Sequence, residues 1–299
     1  MHGHSDHLPQ RLWWILGALW LAWGFNWAAI KVSLVDVPPF TFRTLCLGFG
    51  SAILFLVLRA GGQDLAVPKG QRRRLALLAF LNITCWNMLV AFGMTMIPAG
   101  RGAILAYTMP AWAIPLSVWM LGERFTARKA LGLALGMAGL AVVLGEGAAE
   151  LGRAPLGSLL VLGAAFSWAL GTVLQKKLPM AMAPGPYTAW IMLLGGVPIF
   201  LGALVFDDLG ALAHVGVPAA IGVTYNVLIA FAFAHWAWIT IATQVPVSVF
   251  SLSMLVIPVL GVISGMVFLG ERPSWAEYAA LALVLGSLLT VVLPSRQAA

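Results

Sequence analysis

Polar and aromatic side chains inside long apolar stretches are the residues of this sequence whose chemistry could act on a partner. Amides and hydroxyls hydrogen-bond, and indole rings stack on flat groups or contact a cation. Such groups favour a polar-lined cavity for a small solute, and packing or hydrogen bonding between helices is the alternative role for each. The predicted substrate-binding residues are Trp23, Asn26, Trp86, Asn87, Tyr107, Trp112, Trp168, Tyr225, Asn226, His235 and Ser251.

Charged side chains are scarce in the same apolar stretches. All ten acidic residues lie in tails, loops or at the ends of stretches, so no buried carboxylate is expected to exchange protons. Lys31, Arg43, Arg101 and Lys176 lie near stretch ends, where long side chains are expected to reach water. Cationic drugs and strong anions are therefore disfavoured, and a neutral, zwitterionic or aromatic solute is favoured. For His235 a neutral hydrogen-bonding role is favoured over carrying a coupled proton.

The sequence lacks the motifs that indicate catalysis or a resident cofactor. It contains no His-Glu-x-x-His, no Gly-x-Gly-Asp and no Gly-x-x-x-x-Gly-Lys. We therefore expect no enzyme activity, no nucleotide hydrolysis, no metal and no cofactor. A membrane-embedded enzyme or a non-transporting scaffold is the alternative from another class, and the enzyme would need a nucleophile or metal cluster that one histidine does not supply.

The composition excludes most classes of soluble protein. Hydrophobic residues make up 61% of the 299 residues, charged residues make up 9%, and the mean hydropathy is +0.96. A soluble protein needs a polar surface, and ordinary soluble domains are about 25% charged. The net charge of +7 does not indicate nucleic acid, because the basic residues lie between apolar stretches. A lipid bilayer is the expected partner, and a nucleic acid is not.

The apolar stretches predict an all-α integral membrane protein with ten transmembrane helices. Each stretch has roughly the 20 residues that a helix needs to cross the hydrocarbon core. Proline, glycine and charged residues separate one stretch from the next. The predicted spans are 12–32, 40–58, 75–96, 102–121, 127–144, 156–178, 187–206, 217–241, 247–269 and 275–293.

The sequence repeats within itself. Leu-Gly-Glu-Arg at 121–124 recurs at 269–272, and Pro98 and Pro110 recur at the same spacing as Pro246 and Pro258. Each half holds five predicted spans, an odd number, so the second half must enter the membrane inverted. The fold prediction is therefore two inverted five-helix repeats around a central cavity, an arrangement typical of secondary transporters.

The Lys and Arg residues predict the orientation of these repeats. Twelve of the 17 fall on the side that would hold both termini, and five fall on the other. We therefore expect a bacterial-type inner membrane protein with both termini in the cytoplasm. The predicted divisions are a tail at 1–11, the first repeat at 12–144, a connecting loop at 145–155, the second repeat at 156–293 and a tail at 294–299. No oligomer is implied by the sequence.

The Trp-Gly-x-Asn-Trp stretch at 23–27 and the two Leu-Gly-Glu-Arg motifs resemble the EamA-type branch of the drug/metabolite transporter superfamily. Within that branch the sequence is similar to bacterial aromatic amino acid exporters, and the resemblance covers nearly the whole chain. It implies a ten-helix bundle with a cavity lined by spans 1, 3, 4, 6, 8 and 9, and with spans 5 and 10 at the periphery. It also implies alternating access, with export from the cytoplasm.

The expected function is export of amino acids, aromatic ones first, and of related small metabolites. The missing carboxylates favour uniport or facilitated diffusion, and a proton-coupled drug or metabolite exporter is the alternative. Pro110 and Pro258 are predicted gating hinges, because a proline within a span removes a backbone hydrogen bond. The Leu-Gly-Glu-Arg motifs are expected to be structural, each forming a turn and an ion pair between its own Glu and Arg.

Overall fold

The computed structural model of the chain describes residues 9–149, 154–244, 254 and 256–292. Every regular element in that part of the chain is a helix, as the sequence predicts. The α-helices are α1 Gln10–Gly24, α2 Asn26–Asp36, α3 Pro39–Ala60, α4 Arg72–Ala79, α5 Trp86–Met94, α6 Ala99–Ala106, α7 Met109–Leu121, α8 Ala127–Ala149, α9 Ala154–Lys177, α10 Pro184–Phe206, α11 Val217–Tyr225, α12 Ala234–Gln244, α13 Val256–Leu269 and α14 Trp275–Val292. Two π-helices, Phe80–Cys85 and Asn226–Phe233, and a 3₁₀-helix, Leu209–His214, complete the set.

Seven helical stretches in the described residues are long and apolar enough to cross a membrane, so the chain is a multi-pass membrane protein. Two further apolar helices, Val256–Leu269 and Trp275–Thr290, are shorter. The total of ten spans therefore stays a prediction. The seven stretches are Gln10–Asp36, Pro39–Ala60, Arg72–Met94, Ala99–Leu121, Leu156–Lys177, Pro184–Phe206 and Val217–Ile241.

The fourth predicted span is interrupted next to Pro110, one of the two predicted gating hinges. The chain leaves α6 at Ala106, makes a turn through Tyr107 and Thr108, and resumes as α7 with Pro110 in its first turn. The cause is local, because proline has no N–H to donate and its ring clashes with the carbonyl four residues earlier. Pro258 lies in the first turn of α13, and position 255, immediately before that helix, lies outside the described part of the chain.

The two π-helices lie in the third predicted span of each half. Phe80–Cys85 separates α4 from α5, and Asn226–Phe233 separates α11 from α12. A π turn widens the helix and shifts the residues that follow it onto a different face. Short π segments inside α-helices are frequent at functional sites. At these two segments the local backbone therefore changes the direction in which the side chains of the span point.

Small residues let the helices approach one another closely. Gly132 and Gly136 of α8 face α14, where Ser287 Oγ donates a hydrogen bond to the Gly132 carbonyl at 2.7 Å. A side chain at Gly136 would meet Ser287 and Ala111. Helix α14 packs mainly on α8, while α3 packs on α10, and α5 and α7 pack on α9. The glycine spacing in these spans therefore serves contacts within the chain.

The two Leu-Gly-Glu-Arg motifs form turns, as predicted. Gly122 and Gly270 have φ values of 67° and 65°, which only glycine adopts readily. The predicted ion pair inside each motif is wrong. Within the described residues neither Glu123 nor Glu271 pairs with the arginine beside it, because both carboxylates bind groups on other parts of the chain.

Candidate functional site

An aromatic cluster joins the first span to the span that holds the second π-helix. Trp23 of α1 donates a hydrogen bond from Nε1 to the Ala230 carbonyl at 3.1 Å. Its ring lies 5.7 Å from the His235 ring in an edge-on contact and 5.2 Å from the Trp238 ring. We call Trp23, Tyr225, Phe231, His235 and Trp238 the Trp23 cluster.

Hydrogen bonds fix the geometry of the Trp23 cluster. The Tyr225 hydroxyl lies 2.9 Å from the Ala22 carbonyl and donates to the backbone of α1. The His235 ring stacks on Phe231 at 5.5 Å, and its Nδ1 lies 2.8 Å from the Phe231 carbonyl. A carbonyl oxygen only accepts hydrogen bonds, so Nδ1 carries a proton. Nε2 is the other ring nitrogen that can take part in a hydrogen bond. This arrangement holds the imidazole against the helix that carries it.

Two aromatic pairs connect the sixth predicted span to the third and to the fourth, and no ring contact among the described residues links one pair to the other. The Trp86 and Trp168 rings lie 5.0 Å apart, and the Trp112 ring meets Phe166 edge-on at 5.7 Å. We call these four residues the Trp86 cluster. Aromatic pairs at such distances are stabilised by their ring quadrupoles as well as by burial. Trp112 Nε1 is buried and has no hydrogen-bond partner among the described residues.

The amide side chains leave hydrogen-bonding capacity unused. Asn87 donates to the Ile83 carbonyl at 2.9 Å, and Asn226 donates to the Gly222 carbonyl at 3.0 Å. The Oδ1 atoms of Asn26, Asn82 and Asn226 are buried and have no partner in the described part of the chain. A buried acceptor without a partner is costly, so each of these oxygens is a position at which a donor would be stabilised.

The sequence-predicted site residues therefore fall into two groups. Trp23, Tyr225 and His235 lie in the first cluster, and Trp86, Trp112 and Trp168 lie in the second. Among the described residues no ring contact joins the two clusters. The remaining predicted residues are placed as follows: Asn26 begins α2, Asn87 lies in α5, Tyr107 lies in the turn after α6, Asn226 begins the second π-helix, and Ser251 lies outside the described residues.

The expectation that the basic residues near span ends reach water is wrong for two of them. Arg43 is only 2% exposed and Arg101 only 7%. Arg101 Nε pairs with Glu277 at 2.9 Å, and the half-buried Lys31 donates to the carbonyl oxygens of Met94 and Ile97 at 2.8 and 2.6 Å. Neighbouring helices cover these ends, which the sequence of a single span does not reveal. The one available signal for Arg43 was its position a full turn inside α3.

A small cavity of about 120 Å³ lies near the Arg101–Glu277 pair. None of its lining residues belongs to either aromatic cluster. Its two carboxylates are already engaged, one with Arg101 and one with backbone N–H groups. The cavity therefore belongs to the packing of this end of the bundle. Its lining includes Pro98, Ile104, Val262, Glu271, Arg272 and Glu277.

The fold and the clusters together define a multi-pass helical membrane protein with aromatic and polar side chains inside its bundle. The chain belongs to the EamA-like transporter family, whose model matches residues 12–145 and 155–293. This confirms the family resemblance seen in the sequence motifs, and it makes the chain a transporter of the EamA type.

Several relatives are similar over nearly the whole chain. The uncharacterized transporter YoaV of Bacillus subtilis is 27% identical over 270 residues, which cover 90% of both chains. A protein of Escherichia coli named probable amino-acid metabolite efflux pump is 26% identical over 279 residues, again 90% of both. The uncharacterized inner membrane transporter YedA of Escherichia coli is 28% identical and covers 93% of this chain and 89% of its own length.

A solved structure shows the same fold. It is described only as the crystal structure of a protein, and it is 21% identical with a TM-score of 0.65. The match covers 95% of this chain and 97% of the other. At this identity the likeness shows the fold alone.

Proposed function

We propose that this transporter exports amino acids, aromatic ones in particular, and related small metabolites by alternating access. Two relatives named as probable amino-acid metabolite efflux pumps, at 26% and 25% identity, support the substrate class. The substrate moves without covalent chemistry, so the residues need only bind it, shield it from lipid and release it.

Two features carry the proposal: buried hydrogen-bonding groups without a partner among the described residues, and indole rings deep in the spans. The buried Oδ1 atoms of Asn26 and Asn226 accept from an ammonium group, and the Trp112 N–H donates to an oxygen. Indole rings in both clusters provide flat surfaces for an aromatic side chain or a cation–π contact for the ammonium group. An aromatic amino acid carries all of these complementary groups on one small molecule.

We propose that these groups sit in a bundle of ten spans built from inverted repeats at 12–144 and 156–293. The family model matches one stretch in each half, and each half holds one π-helix in its third predicted span. The distribution of Lys and Arg supports both termini in the cytoplasm. Both points can be tested by placing single cysteines in the predicted loops and treating intact cells with a membrane-impermeant thiol reagent. Successive loops lie on opposite sides of the membrane, so labelling should alternate from one loop to the next.

The alternating motion is proposed to use the fourth and ninth predicted spans as hinges. At the break before Pro110 the α-helical ladder gives way to turn hydrogen bonds, from Thr108 N–H to the Leu105 carbonyl and from Ala111 N–H to the Thr108 carbonyl, and such a break is where α6 and α7 would change their angle. Pro258 holds the corresponding place in α13. Pro110→Ala and Pro258→Ala should each slow transport. Normal rates in both variants would show that the spans do not bend there.

Transport is proposed to follow the substrate gradient without a coupled proton. His235 Nδ1 is committed to a backbone carbonyl, which supports a neutral hydrogen-bonding role. The second candidate, a proton-coupled drug or metabolite exporter, would use His235 as its proton carrier, because it is the only imidazole in the described spans. A flux that needs a proton gradient and loses that need in His235→Ala would favour the second candidate.

The test is flux in proteoliposomes that contain only this protein. Labelled tryptophan, phenylalanine and threonine are loaded in turn, with and without a proton gradient. We expect saturable efflux that is faster for the aromatic solutes and indifferent to the gradient. Trp168→Leu should reduce aromatic flux, while Trp119→Leu, at a tryptophan that is 80% exposed, serves as the matched control. The absence of flux for every amino acid would refute the proposed substrate class.

A further inference from the structure

One arginine is buried inside a membrane-spanning helix without a carboxylate partner. Arg43 lies in the second turn of α3, within the span Pro39–Ala60, and is 2% exposed. No ion pair to it is formed by any carboxylate of the described residues, and its Nε has no hydrogen-bond partner there. Four other lysine and arginine side chains in the described helices are not exposed, and each donates a hydrogen bond to an oxygen: Lys31, Arg101, Arg128 and Lys129. Arg43 therefore stands apart.

Two phenyl rings and a thiol lie against the Arg43 guanidinium. Its guanidinium carbon lies 4.8 Å from the Phe42 ring centre and 6.0 Å from the Phe231 ring centre. The Cys46 thiol, one turn along the helix, lies within hydrogen-bonding reach of the guanidinium, so a weak thiol partner stands where a carboxylate would be expected. Ring faces attract a cation, but they do not replace the hydration that a buried charge has lost. An ionisable side chain held in a span under these conditions indicates a binding role, with an anion as its missing partner.

The ring of Phe231 connects Arg43 to the Trp23 cluster. Phe231 contacts the guanidinium and also stacks on His235, whose ring meets Trp23. Asn226, with its unpaired Oδ1, lies five residues before Phe231 in the same π-helix. Residues five apart lie above one another in a π-helix, so the amide and the phenyl ring share one face. A cation and an unused acceptor are therefore both associated with this face of the span.

We propose that Arg43, on the second predicted span and so outside the six spans that the family resemblance assigns to the cavity, recognises the carboxylate of the transported solute. This inference rests on the proposed function, because it assigns the carboxylate of an amino acid to the guanidinium and its ammonium group to Asn226 Oδ1. The planar guanidinium fork matches a carboxylate with two parallel hydrogen bonds, which a lysine does not reproduce. The ring of Phe231 has to move aside for the contact, so binding of the carboxylate replaces a weak ring contact with a charge pair.

The test compares solutes that differ only at the carboxylate. Proteoliposomes of the full chain are loaded with tryptophan or with tryptophanamide, which keeps the indole and the ammonium group. Charge-assisted hydrogen bonds to a carboxylate predict that Arg43→Gln lowers the Vmax/KM of tryptophan efflux by about 10- to 100-fold and leaves that of tryptophanamide nearly unchanged. Arg43→Lys should retain part of the tryptophan flux. Arg59→Gln, at an exposed arginine at the end of the same helix, is the matched control.

A purely structural role for Arg43 gives a different result. If the side chain only supports the packing of α3 against the second π-helix, both solutes lose flux by the same factor in Arg43→Gln and in Arg43→Lys. That equal loss would overturn the proposal. The Arg43→Lys variant keeps the test informative if Arg43→Gln fails to fold, because the ratio of the two fluxes is measured within one variant.

A binding measurement separates this proposal from the proposed function. If the wild-type protein carries no amino acid at all, the transport proposal fails, and thermal unfolding of the purified protein with indole-3-acetate or with tryptamine still tests Arg43. A rise in Tm with the carboxylate that is absent with the amine and lost in Arg43→Gln supports recognition at Arg43. The same Tm with and without indole-3-acetate would overturn it.

Discussion

The two Leu-Gly-Glu-Arg turns have the same local structure and different tertiary partners. Each ends a membrane-crossing or apolar helix, α7 or α13, and each has its glycine in the left-handed region. The glutamate of the second turn, Glu271, accepts hydrogen bonds from the N–H groups of Ala99 at 2.6 Å and Gly100 at 3.0 Å. It therefore holds the positive end of α6, which is distant in sequence.

The glutamate of the first turn takes cations instead. Glu123 lies 2.7 Å from Lys129 Nζ and 2.6 Å from Lys176 Nζ. Lys176 is 70% exposed, so this pairing faces water on one side. Both motifs thus connect two spans, the second through a buried helix terminus and the first through a partly exposed pair of ion pairs.

The residue six positions after each glutamate accounts for the difference. In the first copy it is Lys129, which neutralises Glu123 directly. In the second copy it is Glu277, which carries the same charge as Glu271 and pairs instead with the buried Arg101 at 2.9 Å. Glu271 is then available for the helix terminus. A repeated motif fixes the turn, while a residue outside the motif selects what the turn binds.

The largest effect is expected from removing Glu277. Its Oε2 also accepts from the Ser274 N–H at 3.0 Å and caps α14, so Glu277→Ala removes a cap and leaves Arg101 buried without this partner. Loss of one member of a buried pair costs about 3–5 kcal/mol of unfolding free energy. Unfolding in detergent micelles measures it, with Lys129→Ala as the matched control. Equal losses in the two variants would show that the two turns are held with equal strength.

The course of the chain could be predicted because it depends on local chemistry. The stretch 40–58 was expected as a span and is found as Pro39–Ala60, since its apolar length and the proline at its start are visible in the sequence. The π-helices were not expected. They depend on how neighbouring helices pack against the span, and no residue pattern in 80–85 or 226–233 predicts a π-helix.

The site could be predicted only as a set of residue types. Deep tryptophans and amides were visible as interruptions of apolar stretches, but their division into two clusters depends on contacts between helices. Trp23 meets Ala230 across 207 positions, and Arg101 meets Glu277 across 176. The burial of Arg43 has the same origin, because Phe231 lies on a different span.

The next effect in size is expected at Glu271. Glu271→Ala leaves the N–H groups of Ala99 and Gly100 without an acceptor at a helix end that is otherwise covered. Unsatisfied buried donors predict a loss of about 2–3 kcal/mol. Glu271→Gln should lose less, because the amide oxygen still accepts one of the two bonds. The comparison with Glu123→Ala is made by the same unfolding measurement, and a smaller loss at Glu271 than at Glu123 would reverse the proposed order.

The glycines of the two turns should respond equally. A Cβ added at Gly122 or Gly270 meets no atom within 4 Å, so each substitution reports only the cost of the left-handed backbone. Gly122→Ala and Gly270→Ala are each expected to lower the unfolding free energy by about 1–2 kcal/mol. Unequal values would mean that the turns themselves differ, and the contrast between the two copies would then not come from Lys129 and Glu277 alone.

The smallest effect belongs to Glu123 and depends on pH. Hydrogen bonds from Lys129 and then Lys176 lower the pKa of Glu123 from 4.5 to about 2. A lowered pKa means that the ion pairs stabilise the folded state fully above pH 4.5, and that this contribution is lost as the pH falls through about 2.

Glu123→Gln should therefore lower the unfolding free energy near neutral pH, by less than Glu271→Ala because water screens these partly exposed ion pairs, and by less still in high salt. Unfolding temperatures of wild type and variant, measured from neutral pH downwards, should converge only as the pH approaches 2. Convergence already at pH 4.5 would mean that Lys129 and Lys176 do not hold the carboxylate. The first turn would then lack the ion pairs that distinguish it from the second.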